Sequence, residues 1–168
     1  AYILLNEVKT PDRLNERQFA RWCMLYCRAA DKLFKDMLYT EQLDRALVGY
    51  KSHGAAEQQA WMGLYLGRSY VKDKLFFLAM KAYSDALSLA KEKYLYDVAG
   101  YICSYMADLY TYTGQRSEER RKFEEAAEFF KQAGNERSYA FALRDVAKTW
   151  AFDDSVSLAL HYMLRADA

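Results

Sequence analysis

Apolar and polar residues recur along the chain at steps of three and four, as in Tyr101, Tyr105 and Asp108, which is the spacing of one face of an α-helix. Sustained β-strand alternation is missing. Ala, Leu, Glu, Lys, Arg, Met and Gln fill the intervals, and one proline, Pro11, and seven glycines are all that interrupt them. The pattern predicts an all-α chain with first helices over 14–32, 57–72, 97–113 and 136–151. Second helices are expected over 40–53, 75–92, 117–133 and 155–167, with turns at Thr40, Asp73, Thr113 with Gly114, and Asp153 with Asp154. Those aspartates are expected to cap a helix start.

The breaks themselves are regular. Gly54, Tyr94 and Gly134 stand forty residues apart (94 − 54 = 134 − 94 = 40), which calls for a search for repeats. Rows of forty align Ala46, Ala86, Ala126 and Ala166 in one column, Lys51, Lys91 and Lys131 in a second, and Cys27, Gly67, Ala107 and Ala147 in a third. Large residues keep the same register: Leu43, Tyr83, Phe123 and Met163 form one column, and Tyr70, Tyr110 and Trp150 another.

Two antiparallel helices approach closely where one presents a small side chain and the other a bulky one, so these columns read as packing instructions for helix, turn, helix units. Lysine in a last turn meets the negative end of the helix dipole. Glycine beyond it suits a left-handed cap, the role expected of Gly54 and Gly134.

The order Leu66, Gly67, Tyr70, Ala79, Tyr83, Ala86 resembles the tetratricopeptide repeat. Met106, Ala107, Tyr110, Phe123 and Ala126 repeat it, as do Val146, Ala147, Trp150, Ala159, Met163 and Ala166, while the row from Ala20 is degenerate. The period of forty in place of thirty-four and lysine where the family often has proline suggest longer second helices. The segment FEEAAEFFKQAGNERSYAFALRDVAKTW is also similar to tetratricopeptide proteins common in Bacteroidetes. The resemblance implies an all-α, right-handed superhelical solenoid of about four hairpins, in rows 14–56, 57–96, 97–135 and 136–168 of a single domain spanning 1–168.

Composition narrows the chemistry. The 168 residues carry 24 Lys and Arg against 23 Asp and Glu, a net charge of +1, so the basic face of a nucleic-acid binder is not expected. No run approaches the ~20 apolar residues that cross a bilayer. The chain begins at Ala1 without an initiator Met, which leaves open a start further upstream or a processed one. Met163 and Leu164 near the other end have no polar helix behind them, so the chain is read as part of a longer protein or as one whose end an oligomer covers. The narrower likeness leans towards the periplasmic side of a bacterial envelope, with the cytoplasm left open.

Candidate catalytic groups are sparse. His53 and His161 lie in rows far apart, and His53 beside Gly54 reads as a helix C-terminal residue. Cys23 and Cys27 share a helical face but lack further ligands nearby, so no metal is expected, and Cys27 and Cys103, at repeat positions facing the hairpin interior, are expected to be small buried hydrophobes. Neither GxGxxG nor GxxxxGK occurs, and no cofactor is expected. The run RSEERRKFEE reads as a solvated face laced with i,i+3 and i,i+4 ion pairs.

If first helices line an inner curve, as the resemblance implies, the groove is formed by Met24, Arg28, Trp61, Leu64, Tyr65, Arg68, Lys72, Tyr101, Ser104, Tyr105, Asp108, Tyr112, Phe141, Arg144, Asp145 and Lys148. Aromatic faces with interspersed cations suit an extended peptide, and about half of the tyrosines are expected to pack between helices instead. The expectation is a non-enzymatic scaffold that binds a peptide or protein partner. The alternative is a ligand- or peptide-sensing part of a larger envelope or regulatory protein.

Overall fold

A computed structural model describes residues 2–167. Its helices are α1 (Tyr2–Asn6), α2 (Glu16–Lys32), α3 (Thr40–His53), α4 (Ala56–Lys72), α5 (Phe76–Glu92), α6 (Tyr96–Thr113), α7 (Arg116–Gln132), α8 (Glu136–Phe152) and α9 (Val156–Ala166), with a 3₁₀ turn at Pro11–Arg13. The expected rows end at Ala168, which lies outside the described residues. Every expected helix is present within two residues at each end. The exceptions were not expected at all: α1 and the 3₁₀ turn have five and three residues, too few to display a helical period.

The regular spacing has a backbone cause. Phe34, Lys74, Tyr94, Gly114, Gly134 and Asp154 all have positive φ, between 53° and 70°. The next residue's N–H in each case turns back to a carbonyl five residues earlier, as in Leu75 to Tyr70 at 2.8 Å and Leu95 to Ala90 at 2.8 Å. This pattern satisfies the carbonyls left open at a helix end. Glycine serves the conformation at Gly114 and Gly134; elsewhere a side chain bears it.

Gly54 departs from the role expected of it. Its backbone is extended, with φ −101° and ψ 158°, so no left-handed cap forms there. A Cβ at that position would meet the Tyr50 ring at 2.5 Å and the Tyr50 carbonyl at 2.8 Å, so glycine is needed for close approach. Thr40, expected in a turn, is the first residue of α3; its hydroxyl contacts Ser69 at 2.8 Å and donates to Asp73 at 2.9 Å.

Residue contacts group the chain into two compact units, 1–89 and 90–168, with the boundary inside α5. In the first unit the small column meets the large one as expected: a Cβ on Gly67 would run into the ring of Tyr83, itself 1% exposed. Asn15 caps α2 by accepting the Gln18 N–H at 3.0 Å, while the Gln18 side chain accepts the Asn15 N–H at 3.3 Å. The short α1 lies against α2, where the Trp22 indole donates to the Leu5 carbonyl at 3.1 Å.

In the second unit Ala107, Phe123 and Val146 form a buried cluster flanked by Trp150 and Tyr162. Gly100 faces the Phe130 ring, where a Cβ would come within 2.6 Å. The last helix leaves Val156, Leu160 and Leu164, four residues apart on one face, 57–74% exposed. Among the described residues no helix is long and apolar enough to cross a membrane.

Candidate functional site: the faces of the first helices

The first helices α2 and α4 of the first unit carry one set of the expected groove residues. The Arg28 guanidinium lies 5.6 Å from the centre of the Trp61 ring, and Trp61 stacks on Tyr65 at 5.9 Å. Arg68 is ion-paired with Asp31 and Lys72 with Asp36 at 3.5 Å, so both cations reach from α4 to acids at or beyond the end of α2. Tyr65 and Leu64 are removed from the accessible face: at 2% and 1% exposure they belong to the core. Met24 is buried as well. Burial, with a smaller contribution from Asp31, pushes the Tyr65 phenol well above its ordinary range.

The second unit carries the rest, on α6 and α8. The Tyr101 ring meets Phe130 edge-on at 4.9 Å, and its hydroxyl lies 3.1 Å from the Ser138 hydroxyl. Tyr101 and Tyr105 are half-buried, whereas Tyr112 is 71% exposed and Asp108 is exposed. Ser104 donates back to the Gly100 carbonyl at 3.2 Å. Phe141 stands out at 51% exposure with Arg137 and Arg144 each 5.8 Å from its ring. Arg144 also donates to Asp167 at 3.0 Å, and Lys148 to Asp145 at 2.7 Å.

Sequence reasoning found the cations and missed Asp31, Asp36 and Asp167, which pair with them, and Arg137, which lies beside the Phe141 ring. A signal for some existed: Asp31 to Arg68, Asp36 to Lys72 and Tyr101 to Ser138 are separated by 37, 36 and 37 residues. Neighbouring first helices thus pair a few residues short of one full period.

The RSEERRKFEE run is less solvated than expected. Arg121 pairs with Glu118 on the surface, but Arg120 lies 3.5 Å above the Trp150 ring, donates to the Thr149 hydroxyl at 2.9 Å and pairs with Asp153. Asp153 therefore ends α8 and does not cap the start of α9; Arg120 and Arg116 hold its carboxyl below the ordinary range. Lys122 is buried, with its ammonium 2.6 Å from one Glu125 oxygen while Lys91 takes the other at 2.5 Å.

Reactive chemistry is poorly supplied. Cys23, Cys27 and Cys103 are buried free thiols. Burial pushes the Cys27 and Cys103 thiols up to about 12 and raises Cys23 further, which keeps all of them protonated and weakly nucleophilic at neutral pH. Among the described residues no group of three or more His, Cys, Asp and Glu is placed to hold a metal ion.

No protein-family model matches the chain, and no curated protein does. Among solved structures, BtubC (BKLC) from P. vanneervenii matches with a TM-score of 0.72 at 14% identity, over 98% of this chain and 69% of that one. A putative kinesin light chain with nearly identical TPR-like repeats from Podosopora anserina matches with a TM-score of 0.63 at 13% identity, over 94% and 74%. At such identities the likeness is one of fold, and the chain is an all-α repeat solenoid of the tetratricopeptide-like kind.

Proposed function

We propose that the chain is a non-catalytic scaffold whose first helices bind an extended peptide or protein segment. The observation that carries this reading is Phe141, a large ring half in solvent and set between two guanidinium groups. An aromatic ring flanked in this way offers contact area with few rotatable bonds to order, and the neighbouring arginines offer forks to a carboxylate. Arg28 over Trp61 supplies the same pairing in the first unit. Exposed Tyr112 and Lys148 extend the accessible set, while Tyr65 contributes only by supporting Trp61. The near-neutral charge favours a peptide of mixed character over a polyanion.

The test is panning of a random peptide library on the purified chain, followed by fluorescence polarisation with the enriched peptides. Phe141→Ala combined with Lys148→Glu is expected to weaken binding at least ~10-fold with helicity unchanged. Unchanged affinity would place the binding surface elsewhere. Arg68→Glu is the poorer probe, since it would set two carboxylates together where Asp31 now meets a guanidinium.

A further inference from the structure

The repeat register brings one column into focus: residues 42, 82, 122 and 162 are Gln42, Ala82, Lys122 and Tyr162. In the second unit the long members of this column fill the space beside the second helices. The buried Lys122 chain brings its ammonium to Glu125 at 2.6 Å. The Tyr162 ring, like Trp150, packs against the cluster containing Val146, and its hydroxyl donates to Glu124 at 2.9 Å.

Ala82 cannot reach so far. Where its counterparts lie, the first unit has a cleft of about 240 Å³ between α3, α4 and α5. Its lining includes Leu66 and Tyr70, the counterparts of Val146 and Trp150 eighty residues on. Its carboxylates have counterparts in two different places: Asp44 matches Glu124 eighty residues on, and Asp85 matches Glu125 forty residues on; both aspartates are exposed at the rim of the cleft. Neither aspartate has an ion pair or side-chain hydrogen bond among the described residues. The first unit therefore has an apolar lining and a carboxylate matching each of these two contacts, while Ala82 supplies neither the ammonium of Lys122 nor the phenol of Tyr162.

We propose that this cleft binds a small organic cation, a primary ammonium on an aromatic or alkyl body, with the ammonium on Asp85 and the body on Leu66 and Tyr70. Two lysines, Lys51 and Lys81, share the lining, yet they do not exclude a cation. In the second unit the half-buried Glu125 accepts Lys91, the counterpart of Lys51, and Lys122 at once, which shows that one carboxylate beside such a lysine can take a second ammonium, although Asp85 itself is exposed. A phenolic body gains a second anchor, because Asp44 stands where Glu124 accepts the Tyr162 hydroxyl.

Tyramine combines both features and is the probe, titrated into the whole chain by NMR or calorimetry beside 4-ethylphenol, which lacks the ammonium, and L-tyrosine, which adds a carboxylate. Tyramine is expected to bind at ~1 mM or tighter, and at least ~10-fold better than 4-ethylphenol. Asp85→Asn should cost a similar factor, and Ala82→Lys, which installs the ammonium that Lys122 supplies one row later, should abolish binding. Asp85→Asn keeps the test decisive if the lysine variant fails to fold. No saturation by ~10 mM, equal affinity for 4-ethylphenol, tighter binding of L-tyrosine, or indifference to Asp85→Asn would each overturn the assignment.

Discussion

Substituting Gly67 by alanine isolates the packing rule on which the repeat depends. In an unobstructed helix interior the change should stabilise by about 0.8–1 kcal/mol through backbone entropy. At Gly67 the new Cβ would stand 2.5 Å from Tyr83 Cδ1 and 2.9 Å from its Cζ, and Tyr83 is 1% exposed, so the ring has no free space to swing into. Overpacking of this kind costs about 1–3 kcal/mol, or more where the neighbour cannot yield. Because the buried Tyr83 ring cannot yield, the upper part of that range applies (about 2–3 kcal/mol), and the net expectation is a loss of about 1–2 kcal/mol, seen as a fall in Tm of ~2–8 °C. Gly49 is the internal control: a Cβ there meets Ala20 Cβ at 3.6 Å and the Glu16 carbonyl at 3.7 Å, ordinary contacts, so Gly49→Ala should raise stability by ~0.5–1 kcal/mol. Thermal and urea melts by circular dichroism read both. A Gly67→Ala protein as stable as the parent would refute the claim that the small column exists to admit the large one.

Two further outcomes are expected. Tyr94→Gly and Lys74→Gly, at positions with φ of 56° and 60°, should each stabilise by ~0.5–1 kcal/mol, because an L side chain strains that conformation and glycine does not; equal melting temperatures would argue against strain there. Burial opposes ionisation of Glu125, yet its hydrogen bonds from Lys122 and Lys91 outweigh this and hold its carboxyl below the ordinary value. Its contribution is therefore complete above the unfolded pKa of about 4.3 and is lost as pH falls through the lower folded value. Glu125→Gln should cost about 1–3 kcal/mol at pH 7 by leaving Lys122 without its anion, with the difference shrinking in melts below about pH 4; a pH-independent difference would exclude ionic pairing as its source.

What the amino-acid order determined by itself is the one-dimensional part of the design. Helix length, the turn every twenty residues between Lys74 and Asp154, and the small and large columns are local or periodic properties, and a strict period leaves them visible in the chain. Row one was least visible because Lys35–Tyr39 forms a longer connection, tied to α4 by the Ser69 hydroxyl on the Leu38 carbonyl at 3.2 Å.

The tertiary structure decided which side chains of a column are used and by what. Tyr65 and Tyr112 both read as aromatic groove positions, yet one is in the core and the other in water, because depth depends on the neighbouring helix and not on helical phase alone. Arg120 and Arg121 are adjacent in one charged run, but a hundred-degree turn sends one onto Trp150 and the other to solvent. The cleft at Ala82 shows the same division: alanine is a good helix residue wherever it stands, and only its three-dimensional neighbours reveal that it leaves a space with two carboxylates beside it. Periodicity fixes direction around an axis, whereas occupancy depends on what the rest of the chain brings to meet it.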